Sequence, residues 1–210
     1  MPKITALRAG RGRGKRINIF LDGKFAFSLG AEVVAKERLQ AEQVLSDEQI
    51  RALVRSGDSQ RCLDAALHYL GYRPRSESEL DERLRRRGFA DDVRVETITR
   101  LRRLGLVNDL AFAQFWKETR ETFSPRSQRL TRLELRRKGV ANDILEEVID
   151  TIDDDESAYQ AARNRSRHLA HVEYESFRRR LGEYLKRRGF SYGVINKAIR
   201  RVWQERNTAF

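Results

Sequence analysis

Three short runs of cations stand immediately ahead of glycines spaced 51 and 50 residues apart. They are Arg85-Arg86-Arg87 before Gly88, Arg136-Arg137-Lys138 before Gly139, and Lys186-Arg187-Arg188 before Gly189. Cations near a helix C-terminus interact favourably with orphan carbonyls and the helix dipole, typically by about 0.3–1 kcal/mol each. One or two charges per helix would satisfy that need. Three successive residues fan over about 200° of a helix, so they cannot all serve one carbonyl cluster. Their mutual repulsion, repeated three times, points instead to a polyanion-facing role. A second basic group, Arg8, Arg11, Arg13, Lys15 and Arg16, is threaded among Gly10, Gly12 and Gly14. It reads as a flexible basic loop, either solvated or in contact with phosphate.

The groups that could do covalent or metal chemistry are weaker. His168 and His171 could share a helix face, but two ligands do not make a metal site and no nearby Cys or third His completes one. In Asp153-Asp154-Asp155-Glu156 consecutive carboxylates point in different directions, whereas two-metal chemistry needs convergent ones; the run reads as the acidic start of a helix. Cys62 has no evident His partner and reads as a small core residue. Gly10-Arg11-Gly12-Arg13-Gly14 lacks the preceding strand and following helix of a nucleotide fingerprint. Trp116 and Trp203 with Phe112, Phe115 and Phe123 could stack bases, yet their helical spacing favours core packing. The expectation is a protein with no catalytic residues, no metal and no cofactor.

The elements that must position these cations follow from composition and period. The 210 residues suit one large domain or two small ones. Lys plus Arg is 43 against 31 Asp plus Glu, a net charge of +12 that favours a polyanionic partner. With 35% of residues charged, much of the chain must be solvated surface, as in an elongated body. The longest apolar runs are a few residues, where a membrane span needs about 20. Met1-Pro2-Lys3 offers neither a myristoylation glycine nor an apolar signal core, so no membrane role is expected. The single cysteine excludes an internal disulfide and suits a reducing cytoplasm.

Between residues 4 and 29 the period is two. Ile17, Ile19 and Leu21, then Phe25, Phe27 and Leu29, flank Asp22-Gly23, which predicts a tight hairpin with six apolar residues on one face. Ile4-Thr5-Ala6-Leu7 could add a third strand, or the hairpin could dock on the first helices. From residue 31 the period becomes helical, with capping boxes at Ser46-Asp47-Glu48-Gln49 and Ser76-Glu77-Ser78-Glu79.

With the three glycines in register, Leu84, Leu135 and Leu185 stand four residues before, Phe89, Val140 and Phe190 one after, and Ile98, Ile149 and Ile199 ten after. Val93, Ile144 and Val194 recur five after; Leu101, Ile152 and Val202 thirteen after. Pro74 and Pro125 lie fourteen before their glycines and are followed by potential caps Ser76 and Ser127, whereas the third repeat has Glu175 at the proline position. Each unit reads as helix, turn, helix ending in a glycine cap, two-residue turn, helix, and three such units would stack as a short solenoid. The first helices are expected near residues 60–71, 108–123 and 156–170. The fold class is therefore mainly α: three tandem three-helix repeats with a small N-terminal antiparallel β-hairpin extension. The expected domains are the extension at 1–58 and repeats at 59–107, 108–155 and 156–210.

Leu106-Val107-Asn108-Asp109-Leu110-Ala111-Phe112-Ala113, Arg120, Leu135-Arg136-Arg137-Lys138-Gly139-Val140 and Tyr184-Leu185-Lys186-Arg187-Arg188-Gly189-Phe190-Ser191 together resemble the recurrent blocks of the RecX family of bacterial recombinase regulators. The resemblance covers roughly residues 60–205, and Phe20-Leu21-Asp22-Gly23-Lys24 is similar to the N-terminal extension of that family's longer members. Two departures are Asn108, where an acidic residue is common, and the absent third-repeat turn. The resemblance implies a monomeric, non-enzymatic regulator that binds the RecA recombinase. It would modulate, in the inhibiting direction, the RecA filament on single-stranded DNA, and with it strand exchange, ATP hydrolysis and co-protease activity. Naked DNA would be bound weakly. The competing expectation is a stand-alone nucleic-acid binder of helix-turn-helix type. Asp91, Asp92, Asn142, Asp143, Ser191 and Tyr192 begin the third helices, and the acidic residues among them would repel phosphate, against sequence-specific readout.

Overall fold

The computed structural model describes residues 1–10, 16–169 and 171–208. Arg11, Arg13 and Lys15 of the basic loop lie outside the described residues. The chain is mainly α, with three tandem three-helix repeats following a three-stranded antiparallel sheet, and it divides into two compact units. The first comprises Met1–Arg73 with Leu80–Leu106, the second Pro74–Glu79 with Val107–Phe210.

In the first unit, β1 (Ile4–Ala9), β2 (Arg16–Leu21) and β3 (Lys24–Gly30) pair in that order, so the third strand forms. Asp22 and Gly23 take φ of 50° and 80°, the paired positive values of a primed turn. The expected six-residue apolar face is not intact. Ile19 and Leu29 are fully buried, but Phe25 is 58% exposed. The cause is a register shift: Ile19 pairs with Phe27 and the adjacent Phe20 with Phe25, so one residue on β2 spans two on β3. Phe25 thereby leaves the core face and meets Phe20 edge-on, 6.0 Å between centroids. Arg16 is tied into the sheet, its guanidinium donating to the Ser28 hydroxyl at 3.0 Å and carbonyl at 2.5 Å.

Beyond α1 (Ala31–Lys36), helix α2 (Asp47–Leu70) runs through the position where a helix start was expected near residue 60. The capping box at Ser46 and Gln49 starts it, and Gly57, the one interior residue that could weaken it, is there for contact. A Cβ at Gly57 would lie 2.7 Å from Leu29 Cδ2, so its absence lets the sheet approach the helix. The far half of α2 packs on α4 (Asp91–Arg103). Cys62 is buried there, and burial pushes its thiol above the usual range, partly offset by a hydrogen bond with Thr97. Arg94 occupies the register position held by Leu145 and Ile195 in the later repeats; it is 7% exposed and is anchored to Asp81, Asp91 and the Phe89 carbonyl.

The second unit holds α5 (Asp109–Phe123), α6 (Gln128–Arg137), α7 (Asn142–Ile149), α8 (Asp154–Ser166), α9 (Tyr174–Arg187) and α10 (Tyr192–Thr208). Phe112, Leu135, Leu145 and Ile149 centre one core, and Phe177, Leu181, Leu185 and Ile199 the next. The register predicted from the glycines is the packing register: Leu84, Leu135 and Leu185 are all fully buried. Gly88, Gly139 and Gly189 take φ of 81°, 76° and 88°. At each, the amide after the glycine donates to the carbonyl of the buried leucine (Phe89 to Leu84, Val140 to Leu135, Phe190 to Leu185), which closes the helix α3 (Glu77–Arg86), α6 or α9 in a Schellman turn.

Candidate partner-binding surface

The nine pre-glycine cations divide by position within the triplet in the second unit, but not in the first, where Arg85, Arg86 and Arg87 are all exposed. Arg85, Arg86, Arg136, Arg137, Lys186 and Arg187 are exposed. In the first unit, Arg85 and Arg86 both grip Glu82 at 2.7 Å, and these hydrogen bonds hold its carboxyl down at about 2. In the second unit, Arg136, Arg137, Lys186 and Arg187 have no carboxylate partner among the described residues; Arg136 alone makes a long contact, 3.4 Å, to Asn142.

The third member is half-buried in the second unit, at Lys138 and Arg188, whereas Arg87 in the first unit is exposed like its two neighbours. Arg87 lies over the Tyr69 ring at 5.2 Å. Lys138 Nζ pairs with Glu79 at 2.6 Å and sits 4.2 Å over Trp116. Arg188 donates to the Ser124 hydroxyl and the Pro125 carbonyl at 2.9 and 3.0 Å and lies over Tyr184 at 4.5 Å. Lys138 and Arg188 are thus structural bonds as well as charges.

Both belong to a junction that occurs twice in the second unit. The Ser76 hydroxyl caps its own helix through Glu79 N and donates to the Lys138 carbonyl at 2.6 Å, while Asp109 accepts from the Glu77 amide at 2.8 Å. One repeat later, Ser127 caps through Leu130 N, its amide donates to the Arg188 carbonyl at 3.1 Å, and Asp154 accepts from the Gln128 amide at 2.7 Å. The glycines close the contact: a Cβ at Gly139 would meet Ser78 Cβ at 2.3 Å, and one at Gly189 would meet Ser127 Oγ at 2.5 Å. Burial pushes both Asp109 and Asp154 above the ordinary carboxylate value. At the third repeat the equivalent turn is absent because Glu175 lies inside α9, which already starts at Tyr174.

Sequence reasoning missed Asp109 and Asp154 because Asp109 stands 30 residues before its glycine and Asp154 35 before, so the register does not align them. The shared signal is local: each follows the residue, Asn108 or Asp153, that caps its own helix. Also unforeseen is Glu134, which takes Trp116 Nε1 at 2.9 Å, Arg120 at 2.8 Å and an ion pair from Arg126. Desolvation lowers both arginines from their ordinary values.

The remaining candidates fall as follows. Phe112 is buried and Trp116 and Trp203 half-buried, whereas Phe123 is 81% exposed. His168 and His171 are exposed, and no group of three potential metal-ligating side chains gathers among the described residues. Asp155 and Glu156 pair with Lys197 and Arg201, so the acidic run is divided between capping, junction and ion pairs. No described helix is long and apolar enough to cross a membrane.

Comparison with known proteins matches this chain, in order, to four family models: the regulatory protein RecX N-terminal domain over residues 2–46, and the RecX first, second and third three-helix domains over 62–101, 108–149 and 153–199. The regulatory protein RecX of Clostridium perfringens (strain 13 / Type A) is 28% identical over 207 residues, covering 96% of this chain and 97% of its own. That of Bacillus subtilis (strain 168) is 28% identical over 208 residues, covering 98% and 79%. Among solved structures, a crystal structure of regulatory protein RecX superposes with a TM-score of 0.64 at 25% identity, covering 93% of this chain and 98% of the other. RecX from Lactobacillus salivarius gives 0.58 at 27% identity, covering 69% and 96%.

Proposed function

The chain belongs to the RecX family of regulatory proteins, and from that membership we propose that it is a non-enzymatic regulator of the RecA recombinase. In this reading it binds as a monomer in the cytoplasm, without cofactor, to the RecA filament on single-stranded DNA. It inhibits strand exchange, ATP hydrolysis and co-protease activity, and holds naked DNA weakly. The observation that carries the reading is the set Arg136, Arg137, Lys186 and Arg187, exposed and without a carboxylate partner among the described residues, at the same register position in successive repeats. A net charge of +12 makes such a set a site for acidic protein side chains and phosphates.

A sequence-reading helix-turn-helix role fits less well. The first-turn cation of α4, Arg94, is buried and held by two carboxylates, so it is not offered to a groove.

The test is a titration of a preformed RecA filament on single-stranded DNA across salt with Arg136→Ala/Arg137→Ala, leaving Lys138 in place. Each phosphate that the variant no longer neutralises flattens the slope of log affinity against log salt by about 0.7, so a change of about one unit is expected if the pair touches DNA. Weaker binding with only a small change of slope, as screening without counterion release gives, assigns the pair to acidic protein surface. Unchanged affinity and slope, with the fold intact, overturns the role given to these cations.

A further inference from the structure

In the first two repeats an ion pair bridges the second and third helices from the residue seven before the glycine. Asp81 on α3 bonds Arg94 on α4 at 2.8 Å, and Arg132 on α6 bonds Glu146 on α7 at 2.5 Å. In the third repeat that residue is Gly182, and Asn196 stands where Glu146 does. The bridge is gone, and a Cβ built on Gly182 would meet, among the described residues, only Ile199 Cδ1, at 3.9 Å. A glycine inside a helix weakens it, so its presence in α9 asks for a reason. What it leaves is a groove of about 520 Å³ between α9 and α10. Phe190, Ile195 and Ile199 form its apolar floor. Arg178, Arg179 and Lys186 stand on its rim, with Tyr192, 72% exposed.

We propose that this groove docks an acidic peptide segment of a protein partner, anchored by one bulky apolar side chain on the floor left open by Gly182. The floor is largely aliphatic, whereas base stacking needs flat aromatic faces. Glu175 and Glu183 interrupt the cations along the rim, which opposes a continuous phosphate chain but leaves room for separate carboxylates beside Arg179 and Lys186. Charge and an apolar floor together are the features of a groove that takes a peptide by its anchor residue. The inference goes beyond the recombinase reading and shares only Lys186 with it; Gly182→Leu, which leaves Lys186 in place, keeps the two distinguishable.

The experiment is fluorescence anisotropy of the whole chain with a labelled peptide of Asp and Glu flanking a central Leu-Phe pair. The same peptide with Ser-Ser at its centre and a labelled oligothymidine are the comparison arms. Gly182→Leu fills the groove and removes a helix-interior glycine, so it is expected to melt no lower than the wild type while binding the Leu-Phe peptide at least tenfold more weakly. Arg179→Ala/Lys186→Ala should weaken binding and its salt dependence. No saturable binding of the Leu-Phe peptide, equal binding of the Ser-Ser peptide, or unchanged binding by Gly182→Leu overturns the proposal. Oligothymidine binding abolished in Gly182→Leu, with the peptides unbound, assigns the groove to nucleic acid and overturns it equally. Filament binding by the same variant, whose Arg136 and Arg137 are untouched, reads the recombinase proposal separately.

Discussion

Gly88 and Gly139 share a left-handed conformation in different surroundings. Around Gly88 nothing would meet an added Cβ within 4 Å, whereas at Gly139 a Cβ would lie on Ser78. Gly88→Ala should therefore carry only the left-handed conformational cost of about 1–2 kcal/mol. Gly139→Ala adds a steric clash inside the junction and should cost about 1 kcal/mol more, read as a larger drop in the urea midpoint. Equal midpoints would mean that the Gly139 junction yields freely. The positive φ was legible from a glycine set after a basic helix end; the Ser78 contact was not, because it joins residues 61 apart in sequence. Thr131 offers an opposite case. It stands where Leu80 and Leu181 stand, fully buried, with a hydroxyl that has no hydrogen-bond partner among the described residues. Thr131→Val keeps the shape and removes the stranded polar group, so stability should rise by about 1 kcal/mol in the same assay.

At the scale of elements, the turn before α6 and the start of α8 are bonded by groups that no helical period reports. Asp109 and Asp154 accept backbone amides from Glu77 and Gln128. Asp109→Ala removes the carboxylate that accepts the Glu77 amide and should destabilise by about 1–3 kcal/mol, while Asp109→Asn retains an acceptor without a desolvated charge and should cost much less. The pH dependence separates these cases. Burial raises both aspartates above their ordinary value of 3.8, so below that value both the folded and the unfolded chain hold the proton. As pH rises the unfolded chain ionises first, and the contribution of the two groups to stability declines until pH has passed the raised folded value. Asp109→Asn/Asp154→Asn should thus gain on the wild type from about pH 4 towards neutrality, measured as the difference between their melting temperatures; a difference constant in pH would remove burial as the cause. The Pro-x-Ser turns that form these sockets were visible as repeat features, and the helical Glu175 shows why the third repeat departs from them: α9 begins a turn earlier, so the turn that receives a neighbour in the other two is helix here.

For the molecule as a whole, the regulator reading requires that the chain turn over nothing by itself. Incubated with ATP, divalent metal and DNA, it should give no hydrolysis above background, and a turnover abolished by substituting Asp153, Asp154 and Asp155 would overturn that reading. The fold class was legible almost entirely in the sequence. A 50-residue register of leucine, glycine and isoleucine encodes local helix ends and one-sided burial, and both are properties of a single helix and its immediate turn. Mainly helical repeats and a hairpin at Asp22-Gly23 follow from such local rules. Which of the nine cations are bonded within the fold is not written locally, since Arg137 and Lys138 are the same kind of residue one position apart. Only the tertiary structure decided the pairing, by bringing Glu79 to Lys138 across 59 residues and Ser124 to Arg188 across 64, and by bringing no carboxylate among the described residues to Arg137 or Arg187. Charge type and helix position are written along the chain, but an ion pair needs a partner in space, and partners this distant in sequence are chosen by how repeats pack.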